Sequence, residues 1–205
     1  MTPRGATSQD MEAAYDAAAQ PGGARLLIDD FTGPPLTSRL GMRWRVVTDR
    51  VMGGVSDADL TPAGAGAGLR MRGDVSLDND GGFVQMSLDL ALGEGEVLDA
   101  SGFDGVEVTV RGNGEIYGVH LRTDRLARPW QSYRQSFRAG PDWHSIRLPF
   151  AGFQPHRTEA VFEPARLKRI GFVAIGRAFT ADLAISKLAL YRAAPDEGGQ
   201  VGAGS

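Results

Sequence analysis

The residues able to do chemistry are few and scattered. Three histidines stand at 120, 144 and 156, and none has the H-E-x-x-H spacing that sets two imidazoles around a metal on one helix face. His144 follows Trp143 at a strand start and reads as a solvated or packed ring; His120 sits on the polar face of a central strand beside Arg122. The stretch Asp78-Asn79-Asp80-Gly81-Gly82 has the oxygens of a calcium loop but not its spacing. With Gly81 at the sixth position the twelfth is Ser87, where a bidentate glutamate is required, so the stretch reads as a turn. Val51-Met52-Gly53-Gly54-Val55-Ser56 fits neither the G-x-G-x-x-G fingerprint nor a phosphate loop, and Ser56 lacks a G-x-S-x-G elbow. There is no cysteine, which removes thiol nucleophiles, disulfides and cysteine-held metals. No catalytic residue, cofactor or metal site is therefore assigned. A hydrolase would need convergent carboxylates, and convergence is a spatial matter.

The richest cluster lies between 115 and 137, where His120, Arg122, Thr123, Trp130, Gln131 and Tyr133 combine hydrogen-bonding groups with aromatic faces. On a rigid sheet that mixture suits a sugar or a peptide, with stacking from the rings and forked contacts from arginine. In the alternative reading Trp130 and Tyr133 cap the core while Arg122 and Gln131 satisfy loop carbonyls. Nucleic acid is not expected, because no recognised module is present and the net charge is −3.

The elements that must carry these residues are strands. Apolar side chains alternate at Leu69/Met71/Val75, Val84/Met86/Leu88/Leu90, Val106/Val108/Val110 and Tyr117/Val119/Leu121. The spacing predicts further strands at 25–31, 44–47, 131–137, 143–148, 169–176 and 183–191, the last broken near Lys187-Leu188 as at a bulge or an edge. Gly112-Asn113-Gly114 reads as a tight hairpin connection, and 131–137 with 143–148 as a second pair. Residues 61–68, T-P-A-G-A-G-A-G, read as an exposed low-complexity loop. The outcome is an all-β antiparallel sandwich over 25–192, between a flexible acidic arm at 1–24 and a disordered glycine-rich tail at 193–205.

With 205 residues, 42% of them hydrophobic, such a sandwich can bury a core without staples. No apolar run is long enough to span a membrane and the first residues lack the apolar region of a signal peptide, so a cytoplasmic protein is expected. Residues 1–110 carry 8 basic and 17 acidic side chains, while 111–177 carry 12 basic and 5 acidic. That asymmetry marks either a cationic face for an acidic partner or strands whose charges intermix at the surface.

The order of landmarks along the chain resembles a known family. Trp44 to Ser56 reads W-R-V-V-T-D-R-V-M-G-G-V-S, followed by Gly81-Gly82-Phe83, Phe103-Asp104-Gly105, L-R-T-D at 121–124, Trp143 through Pro149-Phe150, and Phe153-Gln154-Pro155. This is similar to the complex I intermediate-associated protein 30 family, over roughly residues 26–192. The resemblance implies a galactose-binding-domain-like jelly roll. It implies a non-enzymatic module that assists assembly of a multi-subunit complex, with respiratory subunits or intermediates as partners and membrane contact made through them. A non-mitochondrial, bacterial type of member is implied, since no transit segment is recognisable. The motif falls on Trp44, Asp49, Met52, Gly53, Gly54, Ser56, Gly81, Gly82 and Phe83. Two roles are open for it: Asp49 and Ser56 cap loop amides while the glycines let the hinge close on Phe83, or the same loops form a partner- or ligand-binding surface. Carbohydrate binding by the jelly roll, through Trp130, Tyr133, Arg122 and His120, is the alternative function.

Overall fold

A computed structural model describes residues 25–64, 68–90 and 96–193; the expected arm and all but the first residue of the expected tail lie outside them. Within them twelve strands form: β1 Arg25–Asp29, β2 Trp44–Thr48, β3 Asp57–Pro62, β4 Leu69–Val75, β5 Phe83–Asp89, β6 Gly105–Gly112, β7 Ile116–Thr123, β8 Ser132–Arg138, β9 His144–Pro149, β10 Gln154–His156, β11 Leu167–Ile175 and β12 Phe179–Tyr191. All pairings are antiparallel. One sheet runs β3-β4-β12-β6-β9 with β1 also on β12; the other runs β10-β8-β7-β11-β5-β2. The described chain is thus an all-β jelly-roll sandwich.

Alternation places the core between the sheets. Val106, Val108, Val110, Met71, Leu183 and Leu188 on one side meet Met86, Leu88, Val119, Leu121, Ile170 and Phe172 on the other, all buried. Each such side chain contributes about 1.5–3 kcal/mol of burial, enough in sum to specify the fold without disulfides. Trp44 is buried against Phe31 and Phe172, and its Nε1–H donates to Asp29 Oδ2 at 2.8 Å. Burial pushes the Asp29 carboxyl up, opposed by that bond and by the Phe31 amide. The break expected near Lys187 is a bulge between Ile185 and Lys187, in a central strand rather than an edge. It occurs where one side of β12 passes from β4 to β1.

Three expectations are corrected. The Gly112-Asn113-Gly114 turn closes no hairpin, because β6 belongs to the first sheet and β7 to the second. It carries the chain across the sandwich, held by Tyr117 Oη donating to Asn113 Oδ1 (2.6 Å) and Asn113 Nδ2 donating to the Thr180 carbonyl (2.8 Å). Likewise β8 and β9 do not pair: β8 lies between β7 and β10, whereas β9 flanks β6. Alternation reports a strand's period and not its partner, and a jelly roll separates neighbours in sequence into opposite sheets. Finally, Thr61 and Pro62 are not loop but end strand β3, whose exposed or half-buried side chains show no apolar alternation; residues 65–67 of that stretch lie outside the described ones.

The acidic and basic halves interleave. Glu107 accepts from Arg25 and Arg147, and Asp89 from Arg45 and Arg169.

Candidate functional site

The signature stretch folds around one carboxylate. Strand β2 ends at Thr48, whose side chain accepts from Arg50 N–H, and the chain enters a 3-10 turn over Asp49–Met52. Asp49 is fully buried. Its Oδ1 accepts from Ser56 N–H at 3.0 Å; its Oδ2 accepts from Ser56 Oγ–H at 2.5 Å, Gly82 N–H at 2.5 Å and Phe83 N–H at 3.3 Å. Ser56 Oγ in turn accepts from Ser76 N–H at 2.9 Å, and Asn79 Nδ2 donates to the Gly53 carbonyl at 3.3 Å. Burial pushes the Asp49 carboxyl up, but the hydrogen bonds outweigh it and hold the group below the usual carboxylate range. Aligned N–H dipoles replace a counter-cation.

Two glycines follow from this carboxylate. A Cβ on Gly54 would overlap Asp49 Cγ, and one on Gly81 would stand 2.5 Å from Oδ2. Any larger residue at either position displaces the anion or the loop. The Asp78–Asp80 stretch just before the second glycine pair is a short 3-10 turn with Asn79 at φ 57°, tied back to Gly53.

The stretch is inside-out in polarity. Asp49 and Ser56 are buried, while Val51, Met52 and Val55 stand 74%, 64% and 45% exposed, with Leu77 on the laced neighbouring loop 51% exposed. A buried polar group and an exposed apolar group are the informative exceptions to ordinary burial. Here both occur within the eight residues 49–56.

The cluster expected between 115 and 137 is divided. His120 and Arg122 point outward from β7, whereas Thr123 and Tyr133 are buried. Tyr133 Oη lies 3.1 Å from the carbonyls of both Ala160 and Val161. Arg122 is committed to the 126–131 loop, donating to the carbonyls of Leu126 (3.0 Å), Arg128 (2.8 Å), Pro129 (2.8 Å) and Gln131. Gln131 accepts from Arg128 N–H (2.9 Å) and donates to the Arg157 carbonyl (3.0 Å). Trp130 alone offers a ring to solvent, at 47% exposure, with the Arg128 guanidinium 5.9 Å from its centroid. The two rings of the expected stacking pair therefore do not share a surface.

What strand reasoning missed is the row that His120 joins. The registers Arg45↔Ser87, Ser87↔Gly171, Gly171↔His120, His120↔Arg134 and Arg134↔Gln154 line up six outward positions across all six strands of the second sheet. Burial, then the charges of Arg134 and His156, lower His120 to about 3, so it is neutral at physiological pH. The signal was present as period-two alternation on each strand, but only pairing aligns the strands.

A cleft of about 320 Å³ opens beside Phe31, Pro34, Pro35 and Leu69, and none of its described lining residues is ionisable. Among the described residues no three His, Cys, Asp or Glu side chains converge as a metal site, and no helix is long and apolar enough to cross a membrane.

Comparison with known proteins bears on fold and family. The fold is similar to the family 11 carbohydrate-binding module of the cellulosomal cellulase Lic26A-Cel5E of Clostridium thermocellum, with TM-score 0.64 and 13% identity over 85% of this chain and 98% of that one. The same module from Clostridium thermocellum in complex with a β-1,3-1,4-mixed-linked tetrasaccharide gives TM-score 0.60 at 13% identity, over 85% and 98% of the two chains. A family 30 carbohydrate-binding module gives 0.53 at 14% identity, over 86% and 93%. At such identities the likeness shows the fold, a β-sandwich jelly roll, and nothing finer. No curated protein sequence matches the chain. The profile of one family, complex I intermediate-associated protein 30, matches residues 30–185, from just before Phe31 through most of β12 and including the whole Asp49 loop. The chain belongs to the complex I intermediate-associated protein 30 family.

Proposed function

We propose that this domain is a non-enzymatic protein-binding module that assists assembly of a multi-subunit complex of the complex I type, gripping its partner with the loop built on Asp49. The inside-out polarity of that loop carries the reading. Val51, Met52, Val55 and Leu77 present apolar surface on backbone that is already fixed by the Asp49 hydrogen bonds. Docking a preorganised loop avoids the ordering cost that weakens flexible binders, and a methionine adapts to irregular apolar surfaces. The family's description, an intermediate-associated protein, supports a protein partner of this class. The module covers an apolar patch on an incomplete assembly and leaves when the next subunit takes that place.

The paired variant Val51→Ser/Met52→Ser tests this. Both side chains are exposed, so the expected change in stability is within about 0.5 kcal/mol. Co-migration of the tagged domain with an incomplete assembly on native gels is expected to fall about tenfold or more, the equivalent of about 1.4 kcal/mol. A variant that still co-migrates like the wild type would remove this loop from the account.

Carbohydrate binding is a second reading, favoured by the likeness to modules of that kind. The inward position of Tyr133 weakens it, since a sugar platform needs ring faces and Trp130 is the one largely exposed aromatic side chain among the described residues. Calorimetry against neutral oligosaccharides settles it: no heat at millimolar sugar ends that reading.

A further inference from the structure

We infer that the outward face of the second sheet, at its β8–β10 end, binds an extended acidic segment of a protein partner, with a carboxylate held at Arg134 and Arg157. The inference rests on the protein-binding reading and names a second contact for it, away from the apolar loop.

Charge along this face is lopsided. At the β2–β5–β11 end Asp89 serves both Arg45 and Arg169. At the other end Arg134, on β8, is half-buried and donates to Ser132 Oγ at 2.9 Å, and His156 on β10 faces Ser132 across the strand pair. Arg157 follows in the left-handed region at φ 54°, its carbonyl held by Gln131 Nε2. Such a backbone conformation is uncommon in a non-glycine residue and gathers at binding sites. Among the described residues neither Arg134 nor Arg157 forms an ion pair. These cations also repel one another. Burial, then Arg157, lowers Arg134; burial, then Arg134 and Arg157, lowers His156; and burial, then Arg134 and His156, lowers His120. An anion placed beside Arg134 and Arg157 relieves the repulsion between these two guanidiniums.

The chemistry favours a carboxylate-bearing chain over a sugar. The only ring in the row Arg45, Ser87, Gly171, His120, Arg134, Gln154 is the half-buried His120 imidazole, a small platform for a pyranose face, whereas guanidinium forks match carboxylates. Adjacent strands lie about 4.8 Å apart and alternate side chains of an extended chain about 7 Å apart, so successive carboxylates of an acidic segment fall within reach of β8 and of the residues at and after β10. Net charge does not explain such binding, because the whole protein is at −3.

Fluorescence anisotropy with a fluorescein-labelled glutamate decamer, at low ionic strength to limit screening, provides the test. Arg134→Gln/Arg157→Gln is expected to weaken binding about tenfold or more, against less than about twofold for Arg72→Gln/Lys187→Gln, exposed cations of the other sheet. Equal weakening by both pairs would show diffuse attraction and overturn the inference, as would no binding by the wild type. Binding of a sulfated oligosaccharide but not of the decamer would overturn it in favour of an anionic sugar. Val51→Ser/Met52→Ser is expected to bind the decamer like the wild type. A failed decamer experiment therefore leaves the apolar-loop reading standing, and the reverse also holds.

Discussion

Asp49→Ala is expected to destabilise the domain by about 4 kcal/mol in urea denaturation, a loss at the upper end for a single substitution. The truncation orphans the N–H groups of Ser56, Gly82 and Phe83 together with the Ser56 hydroxyl. Each buried, unsatisfied donor costs about 1–3 kcal/mol, and opening of the loop to water recovers part of the sum. Asp49→Asn keeps the volume but turns an N–H₂ toward donors and removes the charge that organises them, so roughly half of that loss is expected. The sign of the pH dependence follows from the depressed carboxyl of Asp49. Its stabilisation is present above the unfolded carboxylate value and is lost as pH falls through the lower folded value. The Asn variant should lack that acid limb. Asp49→Ala stability within about 1 kcal/mol of wild type would mean that the carboxylate does not hold the loop.

The second large effect is also acid-driven and belongs to His120. Its folded value of about 3 lies below the ordinary 6.5, because partial burial withdraws the ring from water and Arg134 of β8 and His156 of β10 add positive charge beside it. Between those values the unfolded chain binds a proton that the folded one refuses, so stability falls as pH drops from about 6.5 toward about 3. From pH 7 to pH 5 this amounts to about 2 kcal/mol, at about 1.36 kcal/mol per unit. His120→Gln should therefore flatten the urea-midpoint profile between pH 7 and pH 5 by about that amount. An unchanged profile would show that His120 titrates freely and that the face around it is open to water.

Much of the fold was legible because burial imposes a period of two. The Val106, Val108, Val110 set and the Val84, Met86, Leu88 set are buried as their alternation predicts. Pairing was not legible, since nothing in Gly112-Asn113-Gly114 says whether the next strand joins the same sheet or the facing one. The site was legible in proportion to how local its interactions are. Asp49 and Ser56, seven residues apart, could be read as amide caps, and two glycine pairs marked where backbone comes close. That the apolar residues between them would face solvent was hidden, because V-M-G-G-V looks like core until the carboxylate claims the interior. Tyr133 was readable in principle: along its own strand it shares a face with Phe137, opposite Arg134, Ser136 and Arg138. Arg134 and Arg157 were hidden for another reason. Their proximity depends on the short strand β10, three residues long and without an apolar period.

The central claim is that the Asp49 loop presents Val51 and Met52 to a protein partner. A photo-crosslinking amino acid placed at position 52 in cells, with the same probe at position 187 on the opposite sheet as control, tests it most directly. The account predicts a discrete adduct from position 52 that contains a subunit of an incomplete assembly and is absent from position 187. A folded protein that gives no adduct at 52, or the same adducts from both positions, would contradict it.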